Sequence, residues 1–158
     1  MTFSATDPTG GAGMQADILT LSSLGCHPVS VTTGITVQDT IGVDSMMALG
    51  ADWIVDQARS ILEDMQVSAF KCGLLGSAEN MAAVAEIVSD YPEIPLIIDP
   101  VLASGRGDDL VDAAMIQAMI ANCHIRLRPT NNFVVFTIYR WCWCRNKRDG
   151  NLTTNQNC

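Results

Sequence analysis

Apolar positions recur along the chain with two different spacings, and each change of spacing predicts a change of element. Phe3 to Ala5 reads as the end of a strand, followed by a turn-rich run from Thr6 to Gly13. From Met14 the spacing is helical. Met14, Ile18 and Leu21 fall on one face, Leu24 continues it, and Gly25 ends the helix as glycine commonly does. His27 to Thr33 is β-branched and strand-like, with Gly34 and a second short extended run after it. Ala51 to Val67 predicts an amphipathic helix whose apolar side holds Trp53, Ile54, Ala58, Ile61, Leu62 and Met65. Ser68 to Cys72 predicts a strand, Gly73 to Ser77 a loop, and Ala78 to Tyr91 a helix. Leu96, Ile97 and Ile98 form the continuous apolar run of a strand buried on both faces. A loop over Val101 to Asp109 and a helix over Asp109 to Asn122 complete the series.

Helices alternating with apolar strands specify an α/β fold, a mainly parallel sheet flanked by helices. In such sheets a ligand sits beyond the carboxyl ends of the strands. The polar residues placed there are Thr6 and Asp7, then Gln38, Asp39 and Thr40, then Lys71 with Gly73, then Asp99.

Charge and composition narrow the function. The 158 residues carry a formal charge of −8, which argues against nucleic acid or an anionic membrane surface as partner. An apolar content of 48% excludes intrinsic disorder, and no run is long enough to span a membrane. With no export signal, the expectation is a cytoplasmic protein. Cys26, Cys72 and Cys123 are then expected as reduced, buried thiols.

The glycine-rich loop does not contain the G-x-x-x-x-G-K-[ST] of a P-loop. Backbone N–H groups at the start of the following helix favour an anion or a polar ligand group. Gly11-Ala12-Gly13-Met14-Gln15-Ala16 matches G-x-G-x-x-A, a form of the dinucleotide fingerprint, with Asp39 downstream. A tight strand-to-helix turn explains the same residues.

Longer strings are more specific. Thr6-Asp7-Pro8-Thr9-Gly10-Gly11-Ala12-Gly13-Met14-Gln15-Ala16-Asp17 resembles the opening signature of the hydroxymethylpyrimidine and phosphomethylpyrimidine kinases of thiamine biosynthesis, which are ribokinase-like. Thr36-Val37-Gln38-Asp39-Thr40 with Gly42-Val43, Lys71-Cys72-Gly73-Leu74-Leu75, and Asp99-Pro100-Val101-Leu102-Ala103-Ser104-Gly105-Arg106-Gly107-Asp108 resemble three further signatures, in the family's order. The resemblance implies a three-layer, Rossmann-like kinase domain over residues 1–128. It implies ATP and Mg²⁺ for the full-length family, and a small pyrimidine as substrate.

By the same resemblance Gln38 binds the pyrimidine ring, which suits a carboxamide that both donates and accepts. Gly11 and Ala12 bring backbone close to the substrate. Asp17 either contacts the substrate or favours the positive helix end. Asp99 faces the phosphate and magnesium side, through water rather than directly, or caps the Gly105 to Gly107 turn. Lys71 either neutralises phosphate or is a surface lysine. Met14, Met46 and Met47 are core or lid packing.

Residues 129–158 depart from this pattern. Up to Arg128 there are 16 acidic and 5 basic residues; from Pro129 there is 1 acidic against 4 basic, with five of the nine aromatics. Cys142 and Cys144 form a C-x-C pair that no second pair or histidine completes into a metal site. A frameshift or gene-prediction error after Asn132 is the simplest account. The family's catalytic base, anion hole and most of its adenine pocket then fall outside the chain, which is expected not to be a competent kinase. The alternative is a non-catalytic pyrimidine-binding domain. Residues 133–158 are expected either disordered or attached as one strand, the β-prone Phe133 to Tyr139 pairing at the Leu96 to Ile98 edge, with poor solubility or self-association.

Overall fold

Thr2, Phe3, Ser4 and Ala5 are all buried, as befits the central strand of a sheet covered on both faces. The computed structural model describes residues 1–101 and the backbone of residues 133–135. In chain order the elements are β1 (Thr2–Ala5), α1 (Gly13–Ser23), β2 (Ser30–Gln38), β3 (Val43–Ala48), α2 (Ala51–Asp64), β4 (Phe70–Cys72), α3 (Ala78–Ser89), β5 (Leu96–Ile98) and β6 (Phe133–Val135). They form one sheet of order β3-β2-β1-β4-β5-β6. Every neighbouring pair is parallel except β2 and β3, which are antiparallel. The mainly parallel α/β sheet is as expected, and Phe133–Val135 does pair with Leu96–Ile98.

Successive strand residues face opposite sides. Phe3, Val31, Phe70, Cys72 and Leu96 enter one apolar core with Ile54 and Ala58 of α2 and Met81, Val84, Ile87 and Val88 of α3. Each Val, Leu, Ile, Phe or Met among them contributes roughly 1.5–3 kcal/mol on full burial. The intervening residues Thr2 and Lys71 instead meet Asp17 of α1. One side of the sheet is therefore an apolar core, and the other carries charge.

Helix ends follow local chemistry. Gly25 has φ +78° and donates its N–H to the Ser22 carbonyl, while Cys26 N–H reaches the Leu21 carbonyl, both at 3.0 Å. That is a glycine stop in which a positive φ turns the chain back on the last turn. Ser77 caps α3, its hydroxyl accepting from Asn80 N–H at 3.1 Å.

Several expectations need correcting. The segment after Gly34 is no separate run, because β2 continues through it to Gln38. Strand β3 was not foreseen, and Met47 there is exposed rather than core. Leu24 is 72% exposed, because the helix has already turned at Gly25, and Trp53 is 67% exposed beside the buried Ile54. Cys26 is exposed where a buried thiol was expected, whereas Cys72 is buried; neither forms a disulfide among the described residues. In β5 only Leu96 is buried, and Ile97 and Ile98 are half-covered. The loop and helix expected beyond Val101, Cys123 and the C-x-C pair lie outside the described residues. Among the described residues no helix is long and apolar enough to cross a membrane.

Candidate functional site

The chain leaves β1 to build β2 on one side and later β4 on the other. A crevice opens where strand order reverses, at the carboxyl end of β1. There Asp7, Gly11, Ala12, Asp17, Gln38, Asp39, Lys71, Gly73 and Asp99 line one cavity of about 550 Å³. A volume of that size accommodates a small ring with substituents. All six candidate binding residues, Gln38, Gly11, Ala12, Asp17, Asp99 and Lys71, are among its walls.

Asp7 organises the loop wall. It is only 2% exposed. One carboxylate oxygen accepts the Thr9 N–H at 2.8 Å; the other accepts the Thr9 hydroxyl at 3.0 Å and the Ala12 N–H at 2.7 Å. Burial pushes the Asp7 carboxyl up, but the hydrogen bonds from Thr9, Ala12 and Gln38 outweigh it and hold the group below its ordinary 3.8. Its own N–H donates to Gln15 Oε1 at 2.7 Å.

Within the loop, the N–H groups that precede the helix are partnered inside the chain. Gly10 N–H is taken by the Asp7 carbonyl, Gly11 N–H by Thr9 Oγ1 and Ala12 N–H by the Asp7 carboxylate. Of these three acceptors only the Asp7 carboxylate at Ala12 is charged.

The depressed Asp7 group has a measurable consequence. A carboxylate with a lowered folded pKa adds stability that is fully present above its unfolded value and is lost as pH falls through the folded one. Its carboxyl carbon, followed by NMR, should titrate below 3.8, so this contribution disappears only in acid below that point. A midpoint at or above 3.8 would show that burial wins.

The second wall is built by β2. Thr36 donates its hydroxyl to the Thr6 carbonyl at 2.7 Å and its N–H to Thr6 Oγ1 at 3.3 Å, tying the ends of β1 and β2 together. Gln38, two residues on, is half-buried at the rim. Asp39 closes the turn into β3, with Oδ1 accepting from Ile41 and Gly42 N–H at 2.7 and 3.0 Å. That oxygen is engaged in the turn, which weakens the dinucleotide reading.

The third wall is ionic. Lys71 Nζ lies 2.9 Å from Asp17 Oδ1 and 3.4 Å from Asp99 Oδ2, and Asp17 Oδ2 also accepts the Thr2 hydroxyl at 2.6 Å. Lys71 is thus neither a free phosphate ligand nor an unpartnered surface lysine. Asp17 lies beyond the first turn of α1 and spends its charge on Lys71. With an ammonium between them, the carboxylates of Asp17 and Asp99 do not form a direct metal cage. No group of three or more His, Cys, Asp or Glu that could hold an ion occurs among the described residues.

Sequence reasoning placed Asp7 after a strand but gave it no task. The Asp-Pro-Thr string was the available signal, since Asp commonly accepts the N–H two residues on in a turn.

Comparison with known proteins bears on the family and the fold. The sequence profile of the phosphomethylpyrimidine kinase family matches residues 7–127. The hydroxymethylpyrimidine/phosphomethylpyrimidine kinase of Staphylococcus aureus is 36% identical over 112 residues, covering 71% of this chain and 41% of that protein. The crystal structure of phosphomethylpyrimidine kinase from Clostridium difficile superposes with a TM-score of 0.70 at 34% identity, over 75% of this chain and 52% of that one. The Staphylococcus aureus pyridoxal kinase in complex with AMP-PCP and pyridoxal has a TM-score of 0.62 at 26% identity, over 77% and 42%. The chain spans about half the length, or less, of the relatives it matches.

Proposed function

The chain belongs to the phosphomethylpyrimidine kinase family, and from that premise we propose that its cavity is the pyrimidine site of a kinase of thiamine biosynthesis. The reaction proposed for the full-length parent is transfer of phosphate from ATP to the hydroxymethyl group of the pyrimidine, and then to the resulting monophosphate. The observation that carries this reading is the convergence of Gln38, Gly11 and Ala12 on one cavity at the switch point. A carboxamide there offers a donor and an acceptor to neighbouring ring groups, and the loop lets a flat ring lie close to backbone.

ATP enters from the Asp99 and Lys71 side on this proposal. Magnesium is expected with ATP, but the carboxylates flanking Lys71 do not fit an ion held directly, and no step is routed through it. Residues 129–158 are proposed as a segment outside the family's pattern; the family match ending at residue 127 supports this.

Calorimetric titration with hydroxymethylpyrimidine, and with pyridoxal as a competing ring, tests the site. The pyrimidine should bind and pyridoxal should bind more weakly; binding of pyridoxal alone would move the assignment to a vitamin B6-type ring. Gln38→Leu should weaken pyrimidine binding by ~1–3 kcal/mol, the usual cost of an unpaired buried polar group. The circular dichroism spectrum should not change, since Gln38 lies at the end of its strand. Undiminished affinity in that variant would remove Gln38 from the site.

A further inference from the structure

The ionic wall of the cavity has two carboxylates facing one point, and an ammonium stands at that point. Lys71 Nζ lies 2.9 Å from Asp17 Oδ1, 3.0 Å from Asp17 Oδ2 and 3.4 Å from Asp99 Oδ2. All three side chains are largely withdrawn from water, at 27% exposure for Lys71, 14% for Asp17 and 22% for Asp99. The contacts are unequal. Asp17 is within hydrogen-bond distance, whereas Asp99 meets the ammonium only as an ion pair. Asp17 is therefore the anchor and Asp99 the looser partner.

The ammonium is held in place from behind. Lys71 is the middle residue of β4, between the buried Phe70 and Cys72, and the strand is paired with β1 on one side and β5 on the other. The Thr2 hydroxyl fixes Asp17 Oδ2 at 2.6 Å, and the Asp99 N–H donates to the Cys72 carbonyl at 2.8 Å. Gly73 leaves the space the ammonium uses: a Cβ built there would lie 2.9 Å from Ser4 Oγ and 3.6 Å from Lys71 Nζ. A divalent ion on two carboxylates, with water completing its shell, needs oxygens at about 2.0–2.6 Å. Entering between Asp17 and Asp99, it meets the Lys71 charge at contact distance, and like charges in so dry a place repel strongly.

We infer that Lys71 is the resident cation of this wall and a specificity-determining residue: anchored on Asp17 and shared with Asp99, it holds the place of a divalent ion and shuts bare divalent cations out of the cavity. The role is independent of which ring the cavity binds. A lysine that only stabilises the fold predicts a less stable Lys71→Met and no new ion site; a resident cation predicts that its removal creates one.

The test is titration of the 158-residue chain with Mn²⁺, followed by the paramagnetic resonance signal of the free ion. The unmutated chain should show no binding tighter than about 1 mM that Asp99→Asn abolishes. Lys71→Met keeps an apolar stem and removes the charge. It should gain one Mn²⁺ per chain, bound at least about tenfold tighter than any ion on the unmutated chain. Adding Asp17→Asn or Asp99→Asn to Lys71→Met should remove the gained ion.

If thermal melts show Lys71→Met unfolded in metal-free buffer, Mn²⁺ should restore its melting transition, because an ion that binds only the folded chain stabilises it. A folded Lys71→Met that gains no ion overturns the inference, as does one that stays unfolded with Mn²⁺ present. So does an ion on the unmutated chain that Asp99→Asn removes, since Lys71 then fails to exclude it. A gained ion that survives both added substitutions overturns it as well, because that ion sits elsewhere.

Discussion

Phe70→Ala should lower the stability of the fold by about 3–5 kcal/mol, the usual cost of emptying a fully buried aromatic site. Phe70 is 0% exposed and lies on β4 between two other rings. Its centroid is 6.1 Å from that of Phe3 on β1 and 6.2 Å from that of Tyr91 beyond α3, the latter edge to face. Removing the ring breaks both aromatic contacts and leaves a void that the sheet, pinned by β1 and β5 on either side of β4, cannot close. A domain of this size has only about 5–15 kcal/mol to lose. The urea midpoint should fall sharply, with Phe70→Leu losing much less. Phe70 faces the α2 and α3 side, whereas its neighbour Lys71 lines the cavity, so ligand affinity per folded molecule should be unaffected. A midpoint equal to that of the unmutated chain would mean that this core is not as tightly packed as its burial implies.

How much of this was legible beforehand depends on whether the signal was local. The three helices announce themselves by apolar spacing, and their ends by Gly25 and Ser77. Strand β3 gave no such signal. Its residues Val43 to Ala48 are exposed or half-exposed throughout, so no alternation of apolar and polar positions exists to be read. Trp53 was placed on the buried side because it is apolar. The face of α2 that packs is set by Ile54 and Ala58, one full turn apart, and Trp53 lies off it.

The walls of the cavity were legible for a topological reason. Polar residues that directly follow parallel strands are gathered at one end of the sheet whatever their partners. Their partners were not legible. Lys71 is 54 positions from Asp17 and the two are joined only by the order in which strands assemble. The same holds for Thr6 and Thr36, which lie at the ends of different strands. Local pattern therefore located the site, and tertiary assembly decided which charges were already spent.

The loop between β1 and α1 is where fold and site depend on the same atoms, and Gly13→Ala tests that dependence. Gly13 has φ +56°, a left-handed backbone that costs a residue with a Cβ roughly 1–2 kcal/mol. A Cβ built there would also lie 2.6 Å from the Ala5 carbonyl oxygen and 3.3 Å from the Asp7 nitrogen. Both are backbone atoms of the central strand and its exit, so neither can swing aside as a side-chain tip would. Overpacking of this kind adds about 1–3 kcal/mol, for a total of roughly 2–5 kcal/mol. Relief of the clash shifts Asp7, and with it the Thr9 and Ala12 groups bonded to its carboxylate, both of which line the cavity. Gly13→Ala is therefore expected to lose pyrimidine affinity beyond what its lower stability explains, unlike Phe70→Ala. Gly25 supplies the control. Its φ is +78° but no atom lies within 4 Å of a Cβ built there, so Gly25→Ala should cost only the left-handed term and leave binding intact. Equal affinity losses in the two glycine variants would show that the contact with Ala5 and Asp7 does not shape the site.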